Sequence, residues 1–113
     1  MTNTASGIAA AYLDAVSRQD LEQQLACFHA DATVRDVGES KVLQGHDAIR
    51  AWSAGNASQY ALRVEVRDSR CPAEGQVVVR TLVHGAFPGS PLPFTYDFMV
   101  RDGRIAQLVI EQP

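Results

Sequence analysis

Lysine is almost missing from this chain of 113 residues: Lys41 is the only one. The arginines are spread along the chain rather than gathered, and the net charge is -3. That balance argues against nucleic acid or an anionic membrane as the main partner. Cys27 and Cys71 are too few and too far apart in sequence for a disulfide framework, which suits a reduced, cytoplasmic protein. No hydrophobic run approaches membrane-spanning length, and the N-terminus lacks the basic-then-apolar order of a signal peptide. His29, His46 and His84 have no metal-ligand spacing, no serine sits in a G-x-S-x-G elbow, and no glycine loop is built to cradle phosphate. Neither a metal nor a cofactor is therefore expected. Repeats and low-complexity tracts are also lacking, so residues 1–113 read as a single domain with one core.

What is there is an ordinary globular composition, 46% hydrophobic and 20% charged, with two kinds of periodicity. Ile8, Tyr12, Ala15 and Val16 fall at i, i+4, i+7 and i+8, which predicts a first helix starting near Thr4 or Ser6 and ending around Ser17 to Gln19. Asp20 reads as the next N-cap, with Gln23 in the position that completes a capping box. Leu21, Leu25 and Phe28 give the second helix a buried face and place its end near His29. Asp31 to Gly38 then reads as a short strand. Val34 and Asp36 share one of its faces, while Thr33, Arg35 and Val37 share the other. A carboxylate beside Val34 on a core-facing strand is costly to bury, which makes Asp36 a candidate for function.

Glu39 to Gln44 is polar and reads as loop, and Gly45-His46-Asp47 opens a third helix. Ile49 and Trp52 supply that helix's apolar contacts, and Gly55-Asn56 is expected to end it. From Tyr60 onward the period changes to two. Leu62, Val64 and Val66 alternate with Arg63, Glu65 and Arg67, Val77 to Val83 forms a more buried strand, and Phe94 to Val100 and Ile105 to Ile110 form two more. Asp102-Gly103 is a hairpin turn, and three prolines within Phe87 to Pro93 make that stretch a loop. The order is that of an α+β domain with helices on one face of a curved, mostly antiparallel sheet, which encloses a small-molecule pocket.

Asp31-Ala32-Thr33-Val34-Arg35-Asp36, followed by Gly45-His46-Asp47-Ala48-Ile49-Arg50-Ala51-Trp52, resembles the signature of the NTF2-like (SnoaL-like) superfamily, and within it that of the ketosteroid isomerases. The resemblance runs from Tyr12 to the last strand. It implies an NTF2-like, cystatin-like cone with three N-terminal helices packed on the sheet, and a homodimer formed through that sheet. It also implies a cofactor-independent shift of a β,γ double bond into conjugation with a ketone, on a small hydrophobic or steroid-like substrate. By the same resemblance Asp36 is the proton-shuttling base. Tyr12 and a protonated Asp97 would be the donors to the dienolate oxygen, with Phe28, Val34, Trp52 and Met99 lining the substrate site. Two alternatives share the fold: another pocket chemistry, such as polyketide cyclisation or a hydrolase reaction using Asp36, and a small-molecule-binding module without catalysis.

Overall fold

The computed structural model describes residues 4–113. The chain runs α1 (Thr4–Arg18), α2 (Leu21–Ala26), β1 (Phe28–Asp36), β2 (Lys41–Gln44), α3 (Gly45–Tyr60), β3 (Arg63–Arg70), β4 (Gln76–His84), β5 (Leu92–Arg101) and β6 (Arg104–Glu111). The six strands form one sheet in the order β2-β1-β6-β5-β4-β3. Every neighbouring pair is antiparallel except β1 and β6. The first and last strands are thus neighbours within the sheet, and the three helices pack against it.

Local chemistry accounts for most of these boundaries. The residue that would cap α1 lies outside the described residues. Its far end closes when Gln19 takes a left-handed conformation (φ 57°), so that Gln19 N–H reaches the Val16 carbonyl and Asp20 N–H the Ala15 carbonyl. Asp20 then caps α2 as expected, its side chain accepting from the Gln23 N–H at 3.1 Å. Asp102 and Gly103 both have positive φ and join β5 to β6 in a two-residue hairpin.

The structure corrects several boundaries. The second helix stops at Ala26, and Phe28 is the first residue of β1 rather than the helix's last contact. Two thirds of the expected loop from Glu39 to Gln44, Lys41–Gln44, is the edge strand β2, paired with β1. The third helix does not end at Gly55-Asn56. It continues to Tyr60 and closes on Ala61 (φ 50°), whose N–H bonds the Ala57 carbonyl. Because α3 follows the β1–β2 hairpin, only two of the three helices are N-terminal to the sheet.

The core lies between the helices and the inner face of the sheet. Tyr12, Phe28, Phe98, Ile49, Ile105, Leu108 and Val34 are its largest fully buried side chains. Tyr12 meets Phe28 and Phe98 edge-on, at ring separations of 5.3 and 5.8 Å. The buried residues of α1 are Ala5, Ala9, Tyr12, Leu13 and Ala15, with Ile8 and Val16 partly buried beside them. Alanines at three of those positions keep that face of the helix small. No described helix is long and apolar enough to cross a membrane.

Candidate functional site

The strand register sets the site. Asp36, the last residue of β1, pairs with Ile110 of β6, and Ile110 pairs with Tyr96 of β5. Cross-strand partners point to the same side, so all three face the helices. Asp36 and Tyr96 stand two strands apart, roughly 10 Å between Cα atoms at the usual strand spacing. One row deeper, Val34, Leu108 and Phe98 form the closed floor. In the other direction Phe94 and Leu92 of β5 and Val83 of β4 continue the same face toward the open end.

Above this surface is a cavity of about 320 Å³. Tyr12 and Val16, one turn apart, reach it from α1, and α3 lines it with the stripe Trp52, Ser53, Asn56, Ala57 and Tyr60. Phe87 and Pro88 of the β4–β5 loop close one side. That loop docks because Gly85 leaves room: a Cβ there would stand 2.8 Å from the Phe87 ring and 2.9 Å from the Tyr60 carbonyl oxygen. Phe87 packs edge-on against Tyr60, and the Ala86 N–H bonds the Tyr60 carbonyl at 2.8 Å.

Trp52 Nε1–H donates to Asp36 Oδ2 at 3.1 Å, and the carboxylate also bonds the Glu39 backbone. Burial pushes the Asp36 carboxyl above its ordinary value, and the Trp52 bond holds it down in part. Two phenols share the cavity. Burial raises both, and the Asp36 charge raises them further; Tyr12 is also raised by Tyr96 and Cys27. Both phenols therefore stay protonated as neutral donors. Neither hydroxyl has a hydrogen-bond partner among the described residues. Ser53 Oγ is buried and likewise unpartnered.

The structure brings Tyr12, Asp36 and Trp52 to the cavity and leaves four other expected site residues outside it. Phe28 and Val34 are sealed into the core beneath and line no part of it. Asp97 and Met99 face the other way. Phe94, Tyr96 and Phe98 occupy the inner face of β5, so the pleat turns the residues between them outward. Asp97 lies between Val109 and Val78 on the outer face, where the Gln76 side-chain amide donates to both its oxygens at 3.0 and 3.2 Å. Met99, on the same face, is 39% exposed. The second donor in the cavity is Tyr96, which sequence reasoning missed. The signal was the aromatic alternation Phe94-Tyr96-Phe98, which marks the buried face of a strand. Among the described residues, no group of three His, Cys, Asp or Glu side chains is placed to hold a metal ion.

A curved six-stranded sheet with three helices over a cavity is the NTF2-like architecture, and it is shared with solved structures across most of the chain. A candidate polyketide cyclase from Sinorhizobium meliloti is 36% identical, with a TM-score of 0.86, over 93% of this chain and 94% of that one. A candidate polyketide cyclase from Xanthomonas campestris is 23% identical, with a TM-score of 0.81, over 95% and 88%. A candidate ketosteroid isomerase from Kribbella flavida is 14% identical, with a TM-score of 0.85, over 99% and 79%. No curated protein matches the chain significantly. The model of the SnoaL-like domain matches residues 9–108, and the chain belongs to that family.

Proposed function

We propose that this protein is a cofactor-independent acid–base enzyme. It removes a proton from the carbon next to a ketone and returns it further along the chain, moving a β,γ double bond into conjugation. The observation that carries this reading is a partly buried carboxylate of raised pKa, across a largely apolar cavity from two phenol hydroxyls without a hydrogen-bond partner among the described residues.

Asp36 takes the α-proton and becomes neutral, while its charge passes to the ketone oxygen of the resulting dienolate. The total charge in the cavity does not change, so neutral donors suffice to hold the oxygen, and the Tyr12 and Tyr96 hydroxyls supply them. Asp36 then gives its proton to the γ-carbon and is restored. Burial makes Asp36 a stronger base than a solvated carboxylate, and the Trp52 N–H fixes its position. A cavity of about 320 Å³ lies at the small end of ligand sites and favours a compact hydrophobic ketone.

A second reading is favoured by the 36% identical relative named as a candidate polyketide cyclase. The first step is the same. The enolate carbon then attacks a second carbonyl of the same molecule, forming a carbon–carbon bond, and the new alkoxide takes the proton from Asp36. Absorbance of the conjugated enone, followed with a small β,γ-unsaturated ketone, tests the first reading; aldol cyclisation of a diketone tests the second. Acceleration of neither leaves the cavity as a binding site without catalysis.

We also infer a homodimer formed through the outer face of the sheet. Val42, 67% exposed, Val109 and Met99 make that face more apolar than water alone would favour. Sedimentation showing only a 12.3 kDa species would contradict it.

A further inference from the structure

The charge inside the cavity is one-sided. Asp36 and Glu39 are the carboxyl side chains that line it, and among the described residues no lysine, arginine or histidine side chain does. Glu39 is exposed and pairs with Lys41 Nζ at 3.1 Å at the rim. The interior therefore carries the negative charge of Asp36, which Lys41 opposes only from the rim. Around it stand aromatic side chains, among them Tyr12, Trp52 and Tyr96, whose ring faces are themselves electron-rich.

Such a surface sorts ligands by charge. A carboxylate or phosphate entering it would bring a second negative charge into a partly desolvated space with no counter-charge, which is a built-in rejection. An alkylammonium would meet both a carboxylate and aromatic side chains, the combination that recognises weakly hydrated organic cations. We infer that the cavity is a receptor for organic ammonium groups, seating a tertiary or quaternary ammonium beside the Asp36 carboxylate among the aromatic side chains of Tyr12, Trp52 and Tyr96. The inference goes beyond the enolising reading and concerns binding alone, so it holds or fails independently of catalysis. If both hold, ammonium ligands compete with the ketone, because each needs the ionised carboxylate.

The test uses three probes of nearly one shape and different charge: choline, 3,3-dimethylbutan-1-ol and 3,3-dimethylbutanoate. Trp52 is the chain's only tryptophan, so its indole N–H gives a single reporter resonance at the Asp36 carboxylate and separates cavity binding from weak association with the acidic surface. Titrated into wild-type protein at constant ionic strength and mildly alkaline pH, choline is expected to bind about tenfold more tightly than the alcohol, and the anion not to saturate. In Asp36→Asn the preference for choline should fall to the few-fold that the rings provide. Equal affinity for choline and the alcohol, saturable binding of the anion, or no choline response at Trp52 in wild-type protein would each overturn the proposal without reference to Asp36→Asn. An undiminished preference in folded Asp36→Asn would overturn the role given to the carboxylate.

Discussion

Replacing Tyr96 with phenylalanine removes a single oxygen and leaves the ring. That ring is stacked at 6.2 Å on Phe98, and Val79 stands opposite it on β4, so packing and register are retained. The lost hydroxyl has no partner among the described residues, so no donor or acceptor there is orphaned by its removal. Stability should change by less than about 1 kcal/mol in either direction. Catalysis should change much more. Loss of one of two preorganised donors to an enolate oxygen is expected to lower turnover of a β,γ-unsaturated ketone by about 10²–10³, or roughly 3–4 kcal/mol of transition-state stabilisation. Affinity for a phenol or naphthol that imitates the enolate should fall in parallel, since the donors act on the charged oxygen. Asp97→Asn, on the opposite face of the sheet, serves as the control and should leave turnover within about twofold of wild type, as expected of a site remote from the reacting atoms. Unchanged turnover in Tyr96→Phe, or an equal loss in Asp97→Asn, would refute the assignment.

Three further outcomes follow from the same site. Because burial raises the folded pKa of Asp36, folding favours its protonated form. The stability Asp36 contributes is present below the unfolded carboxyl value of about 3.9 and is lost as pH rises through the folded value, so urea titrations should show Asp36→Asn gaining on wild type over that window and levelling off above it. Ser53→Ala deletes a hydroxyl that is 4% exposed as part of its residue and has no partner among the described residues, and should stabilise the fold by about 1 kcal/mol, read as a rise in Tm of about 4 °C. Gly85→Ala places a Cβ against the Tyr60 carbonyl and the Phe87 ring; the loop must shift, at a cost of about 1–3 kcal/mol by thermal unfolding, and phenol binding in the cavity should weaken.

Much of this architecture was legible where periodicity and end chemistry agree. The Tyr12 stripe, the Asp20 cap, the Asp102-Gly103 turn and the placement of Asp36 beside Val34 all rest on spacing that local sterics enforce. Trp52 followed from the same kind of pattern on α3. The β2 strand was not legible because it is a short edge whose Val42 faces outward and is exposed, so it shows no alternation to read. Gly55 suggested a helix end, yet nothing lies within 4 Å of where its Cβ would be, and α3 simply runs through it. The error with most consequence was Asp97. Its role came from a resemblance, which also put Met99 at the substrate site. The aromatic side chains on either side of Asp97, Tyr96 and Phe98, are the ones turned inward, and the pleat decides the matter.

The central claim is that Asp36 moves protons at carbon while Tyr12 and Tyr96 hold the oxygen. Its most direct test is the uptake of solvent deuterium at the α-carbon of a small β,γ-unsaturated ketone in D₂O, followed by NMR for wild-type protein and Asp36→Asn, with phenol affinity measured on the same samples. The account predicts rapid exchange in wild type, exchange near the buffer rate in Asp36→Asn, and phenol binding retained in both. Exchange at the buffer rate in wild type, or at the wild-type rate in Asp36→Asn, would contradict it.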